Sequence, residues 1–348
     1  MGDILGVGLT HFPFLNNKDE NMTTVLKAMR KNPNLPDELK EVSGWPEAMR
    51  EEFGDDEGLS AAQKHREECV QEFRKLRQEI EEFNPDFIVV FGDDQYENFK
   101  EDIIPSFCIG AYDSVISKNK FAKNNVWDED VDKTFKIQGH RTGGKTLASD
   151  LILDGFDVAY AYEPAHFDGL PHAFMNTVLY LDYDRKGFEF PLVPFQVNCY
   201  GRNVIAQKGG LPDFSQELSK EDLDPPAPTP KRCFELGAAV ARSIKKSPYR
   251  VAVVASSSWS HAFLVEKNNF LYPDLEADRK LYNTMVHGEY DYWRHLSPYA
   301  IEESGQQEVL NWMCLLGAME ELGYKEPTDS KFIETYIMNS SKTFAVYK

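Results

Sequence analysis

The chain has 348 residues and a net charge of −19, from 57 Asp and Glu against 38 Lys and Arg. That excess of acid argues against a nucleic-acid partner, which needs clustered Lys and Arg, and against docking on anionic membranes. With 42% hydrophobic and 13% aromatic residues, it has the material for a real core and is not a disordered chain.

The first residues, MGDILGVGLTHFPFL, lack the basic start of a signal peptide and predict a strand over Ile4 to Thr10, with Leu5, Val7 and Leu9 on one face. Residues 16 to 60 are polar, acidic and rich in Pro and Trp, and read as a helical surface elaboration. Ser60 opens a helix with Gln63 placed for a capping box. Val70, Phe73, Leu76, Ile80 and Phe83 form its inward stripe, and Asn84-Pro85 ends it. Asp86 to Phe91 is a continuous apolar run, as in a buried parallel strand, and Gly92-Asp93-Asp94-Gln95 turns after it.

Further elements continue in alternation. A helix is expected over Thr142 to Leu153, strands over Asp157 to Tyr162 and Phe190 to Val197, and a helix over Lys231 to Lys245. A strand over Tyr249 to Ser256 and an apolar helix over Glu303 to Leu322 complete the series. The class is therefore α/β around a mostly parallel sheet, in one domain over residues 1–348. The longest apolar runs are strand-sized, so no membrane span is expected. The five cysteines are dispersed and form no CxxC pair, which predicts reduced, buried thiols in a cytoplasmic protein.

Three polar residues share one address. His11 comes after the first strand, Gln95 after the strand ending at Phe91, and His261 after the strand ending near Ser256. In open α/β sheets ligands bind outside the carboxyl ends of the parallel strands. Each residue alone reads as an ordinary loop residue; together they point to one crevice. Glu308 adds a carboxylate, because Trp312, Leu315, Leu316 and Met319 succeed it at helical spacing and put it on a buried stripe. The competing reading is a first-turn Glu facing the helix dipole, with Ser304 and Gln307 as cap. Two histidines and a carboxylate in one crevice suit a non-haem iron site.

His172, in Gly169-Leu-Pro-His172-Ala-Phe, sits in a loop and is either a substrate-facing donor or a structural hydrogen bonder. His65 reads as solvated, and His287 and His295 as structural. Gly139-His-Arg-Thr-Gly-Gly144-Lys145-Thr146 matches the phosphate-binding P-loop pattern, but the residues before it are polar where that loop needs a buried apolar strand. Its glycines are expected to open a helix instead.

These residues lie in ordered motifs: GVGLTHFP, DFIVVFGDDQYENF, IPSFCIG, GLPHAF, VPFQVN, SSSWSHAF and SGQQEVLNWMCLLGA. Together they resemble the class III extradiol dioxygenases, the catalytic-subunit family of protocatechuate 4,5-dioxygenase. The resemblance implies an αβα sandwich, Fe(II) held by two His and one Glu, a small catecholic aromatic substrate, and O2. It implies that His11 and Glu308 are metal ligands, that His261 is the acid/base and that His172 lies near the substrate. It also implies a homodimer or a pairing with a small accessory subunit.

The chain departs from the family at one ligand. The second metal histidine falls at Gln95, whose amide oxygen is a weaker donor to iron than imidazole. Gln95 would ligate weakly or through water, a neighbour among Asp93, Asp94, His140, His166 and His172 would replace it, or iron would be lost. The alternatives to ring cleavage are a hydrolase or lyase reaction with Mn or Zn, and a non-catalytic accessory subunit. Arg141, Lys145 and Arg202 are candidate contacts for a substrate carboxylate.

Overall fold

Apolar runs become the interior of one large sheet. The computed structural model describes residues 2–212 and 218–348. Its strands are β1 (Asp3–Leu9), β2 (Phe87–Asp93), β3 (Phe107–Gly110), β4 (Ser114–Lys118), β5 (Thr134–Gln138), β6 (Ala159–Ala161), β7 (Leu192–Val197), β8 (Arg250–Ser256), β9 (Asp329–Ile333) and β10 (Lys342–Tyr347). Eight of them form a sheet in the order β6-β3-β7-β2-β8-β1-β10-β9, and β4 pairs with β5 in a separate hairpin. The centre, β7-β2-β8-β1, is parallel throughout; β3 and β10 add antiparallel pairs at its flanks.

Alternation divides each central strand between two cores. Val89 and Phe91 of β2, with Val251 and Val253 of β8, face helices Arg141–Leu153, Pro230–Lys246 and Val309–Glu321. Ile88, Val90, Ala252 and Val254 face helices Leu59–Phe83 and His172–Leu181. This is the αβα arrangement expected from the sequence. Gly8 of β1 lets the Val309–Glu321 helix approach closely, since a Cβ there would run into the Trp312 ring.

Several local expectations change. Helix Leu59–Phe83 has no capping box: Gly58 precedes it in the left-handed region, and the Asp56 carboxylate accepts the Ser60 N–H at 2.9 Å. His65 is buried rather than solvated. Between residues 16 and 60 run short helices Thr24–Met29, Asp37–Lys40 and Glu47–Phe53, and Val25, Leu26, Met29, Trp45, Met49 and Phe53 all enter the core. The helix expected from Glu303 is two, Pro298–Glu303 and Val309–Glu321, separated by Gly305 at φ +63°. No helix among the described residues is long and apolar enough to cross a membrane.

Candidate metal centre and active site

Strands β2, β8 and β1 lie side by side and parallel, so their carboxyl ends open on one crevice. The chain delivers Asp93 as the last residue of β2, His11 just after β1, and His261 from the segment after β8. Glu308 comes from the turn that ends at the Val309–Glu321 helix. It is therefore the residue capping that helix and not part of its interior stripe. It is nevertheless buried, as the stripe argument required, and neither Ser304 nor Gln307 caps with its side chain. His172 opens a wholly buried helix where the sequence suggested a loop.

His11 is the hub. Its Nδ1 lies 3.0 Å from the Ser256 hydroxyl, whose own proton goes to the Ala173 carbonyl at 2.9 Å. Thr177 Oγ1 donates to the same Ser256 hydroxyl at 2.6 Å, so with its proton on Ala173 Ser256 accepts from His11 Nδ1, and Nε2 is the nitrogen that faces the carboxylates. That Nε2 is 3.2 Å from Glu308 Oε2 and 3.7 Å from Asp93 Oδ1. Glu308 also accepts the Ser258 N–H at 2.6 Å and the Tyr200 hydroxyl, and its Oε1 stands 3.3 Å from His261 Nε2. One buried carboxylate thus joins the two histidines.

The loop after β2 builds the neighbouring wall. Asp94 spends both carboxylate oxygens on the N–H groups of Glu97, Asn98 and Phe99, at 2.8 to 3.2 Å. Glu97 accepts His172 Nδ1–H at 2.8 Å and the His172 backbone N–H at 2.9 Å, and its other oxygen pairs with Lys120 at 2.5 Å. Gln95 lines the crevice, and its amide nitrogen donates to the Gly209 carbonyl at 2.7 Å.

The crevice encloses about 260 Å³ and is floored by His11, His172, His261 and Glu308. Phe12, Phe14, Phe121 and Phe263 form aromatic walls, and Lys120 is the one cationic side chain among its described lining residues.

The electrostatics describe a site short of positive charge. Burial, then the charge of Glu308, lifts the Asp93 carboxyl far above its ordinary value of 3.8. Burial works against Glu308 too, but His11 and His261 hold it well below 4.5. Burial would lower His11, yet Glu308 and then Asp93 outweigh it and raise the imidazole to about 9. A proton on His11 therefore compensates charge that a bound dication would compensate better. Both Asp93 oxygens and His11 Nε2 are buried without a hydrogen-bond partner. Donor atoms of His11, Asp93 and His172 lie within 4.8 Å of one another. Orphaned donors of these types around one point fit a divalent metal.

Five residues picked out from the sequence, His11, Gln95, His172, His261 and Glu308, line this one crevice. Of the possible substitutes for the missing histidine, Asp94 is spent on its loop. His140 caps the Arg141–Leu153 helix through Nδ1 and Gly143 N, and His166 pairs with Asp102 at 3.2 Å. Only Asp93 and His172 lie beside His11. Arg141, Lys145 and Arg202 lie elsewhere: Arg141 pairs with Asp113 and Arg202 with Glu302, while Lys145 stands near the Tyr162 ring. The Gly139–Lys145 segment comes after the hairpin strand β5, and its Gly143 packs on Phe87 and His140, so its glycines serve packing. Tyr200, Glu97 and Lys120 were missed. Tyr200 and Lys120 lie in stretches with no pattern of their own, whereas Glu97 stood within DDQYENF, two residues past Gln95.

Comparison with known proteins agrees with this geometry. Residues 212–346 match the family model of the catalytic LigB subunit of aromatic ring-opening dioxygenase, a stretch that includes His261 and Glu308. A 2,3-dihydroxyphenylpropionate/2,3-dihydroxicinnamic acid 1,2-dioxygenase of Photorhabdus laumondii is 25% identical over 216 residues, covering 62% of this chain and 55% of the relative. Its namesake from Rhodococcus jostii is 28% identical over 189 residues, covering 54% and 48%. The second such enzyme of Pseudomonas putida is 26% identical over 197 residues, covering 56% and 49%. The chain thus spans about half the length of the curated relatives it matches.

Proposed function

Because residues 212–346 match the LigB aromatic ring-opening dioxygenase family, we propose that this chain is an Fe(II)-dependent extradiol dioxygenase acting on a single-ring catechol. The reading is carried by the run of contacts from His11 through Glu308 to His261, set in the floor of an aromatic-walled crevice. His11 and Glu308 hold the metal, and imidazole with carboxylate is a donor set suited to Fe(II). When bound, the metal supplies Lewis acidity and a template for both reactants.

The protein's own groups do the rest. A crevice of about 260 Å³ admits one substituted ring, and Phe12, Phe14, Phe121 and Phe263 press on its faces. His261 takes a proton from a substrate hydroxyl and returns it later in the reaction; an imidazole suits this because its unperturbed pKa is near neutrality. Glu308 orients His261 through Nε2. His172, whose Nδ1–H is held by Glu97, leaves its other nitrogen to accept a hydrogen bond from a substrate hydroxyl in the crevice. The relatives named above are all dioxygenases, which favours oxygen chemistry over hydrolysis or a lyase step.

The test is oxygen uptake by protein loaded anaerobically with Fe(II) and given catechol or 2,3-dihydroxyphenylpropionate. One O2 should be consumed per ring opened. His261→Ala should retain iron and lose ~10²–10⁴-fold in rate, the usual worth of a general acid–base. Full turnover without oxygen, or a His261→Ala enzyme of normal rate, would overturn the reading.

A further inference from the structure

We propose that Asp93, and not Gln95, is the third protein donor to the metal, so that the centre is built from one histidine and two carboxylates. The proposal rests on reading the crevice as a metal site, and deepens it by naming the donor that replaces a histidine.

Three observations carry it. The first is position. Strand β2 puts Phe91 and Asp93 on the same face, and the strand ends at Asp93, beside the ends of β7 and β8. The side chain therefore issues from the rigid sheet. Gln95 falls two residues later, in the loop, where its amide nitrogen is engaged by the Gly209 carbonyl.

The second is satisfaction. Asp93 is fully buried, and neither of its oxygens has a hydrogen-bond partner, while Oδ1 lies 3.7 Å from His11 Nε2. Its neighbour Asp94 has every oxygen engaged by backbone N–H groups. An ionised carboxylate without donors is among the costliest groups to bury, and persists where a cation completes it.

The third is charge. Asp93 and Glu308 together bring two negative charges to one imidazole. A dication neutralises both and makes the buried cluster neutral. With Gln95 as donor in place of Asp93, a dication and one carboxylate would leave a net positive charge at the metal and an unpaired carboxylate beside it. The substitution at position 95 and the aspartate at 93 are thus two halves of one exchange.

The exchange has a chemical consequence. Replacing an imidazole, which suits zinc and iron, by a carboxylate hardens the site and moves its preference toward Mn(II).

Metal binding alone tests the idea, with neither substrate nor oxygen present. Full-length apoprotein is titrated with Mn(II), with free ion followed by electron paramagnetic resonance, and the thermal shift on Mn(II) addition is recorded alongside. Asp93→Asn should lose more than ~100-fold in affinity, beyond the 10–100-fold typical of groups that only support a ligand. It should fold normally and lose its metal-induced rise in Tm. Gln95→Ala should bind Mn(II) within a few-fold of the parent. A Gln95→Ala protein without metal, or an Asp93→Asn protein of unchanged affinity, overturns the proposal. A protein that binds metal through Asp93 but opens no ring would sink the dioxygenase reading and leave this one standing.

Discussion

Two clusters of charge, one half-buried and one buried, sit on the same fold and are finished in opposite ways. One is the clasp around Arg66, which ties the segment after β1 to the Leu59–Phe83 helix. Its guanidinium donates to Asp19 at 2.5 Å, to the Leu15 carbonyl at 2.7 Å, to the Tyr183 hydroxyl at 3.2 Å and to the Asn17 carbonyl. Every charge there meets its complement within the chain. The other is the hub at the strand ends, where Asp93 has no donor and His11 Nε2 faces two carboxylates. The first cluster holds structure together. The second has no such complement within the chain, and buried, unpaired titratable groups in a crevice mark a candidate functional site.

The contrast can be broken by removing one charge from each cluster. Arg66→Ala should destabilise the protein by about 1.5–3 kcal/mol, as losing charge-assisted hydrogen bonds at a half-buried site does, and leave Mn(II) affinity unchanged. Denaturant midpoints at fixed m-value measure this. Asp93→Asn should act in the opposite sense, stabilising the apoprotein because it removes a buried carboxyl that has no donor within the chain. Equal signs for the two variants would end the comparison.

A smaller effect sharpens the same contrast from the packing side. Gly8 faces the Trp312 ring, and a methyl there has no room. Gly8→Ala should destabilise by ~1–3 kcal/mol, the usual range for overpacking. Trp312 lies one turn into the helix that begins beside Glu308, so the displacement should also weaken Mn(II) binding several-fold. Gly155→Ala, at an exposed turn with open space around its Cα, serves as control for a glycine whose loss leaves Mn(II) affinity intact.

Much of this arrangement was legible in the sequence because it depends on period and order. The runs at 86–91 and 249–256 are apolar enough to be buried parallel strands, and topology places the residues just past the carboxyl ends of such strands. Strand order alone therefore put His11, Gln95 and His261 in one crevice. Features that depend on tertiary contact were not legible. Glu308 reads as a helix-stripe residue because its spacing to Trp312 is helical, yet Gly305 breaks the chain and leaves Glu308 in the preceding turn. Asp93 and Asp94 are indistinguishable in sequence; one is consumed by its own loop and the other is bare. His65 looked solvated because its helix neighbours are charged, and the β9–β10 side of the fold buries it.

Lys342 gives the last test, because it lies between the two extremes. It is fully buried, and its ammonium stands over the Phe12 ring at 3.7 Å and donates to the Met338 carbonyl at 3.1 Å and to the Ser340 carbonyl. It has neutral acceptors in place of the carboxylate that Arg66 enjoys, and burial pulls it from 10.5 down to about 7. The folded state therefore releases this proton near pH 7, while the unfolded chain keeps it to about 10.5. Between those values the unfolded state binds more protons, so stability rises with pH, by at most ~1.4 kcal/mol per pH unit. Below pH 7 both states are protonated and this contribution is flat. Urea unfolding of the parent and of Lys342→Met at pH 6, 7, 8 and 9 isolates it. The difference in stability, parent minus variant, should stay level from pH 6 to 7 and then climb. Parallel curves would mean that the carbonyls and the Phe12 ring keep Lys342 charged, which would place it with the completed cluster around Arg66.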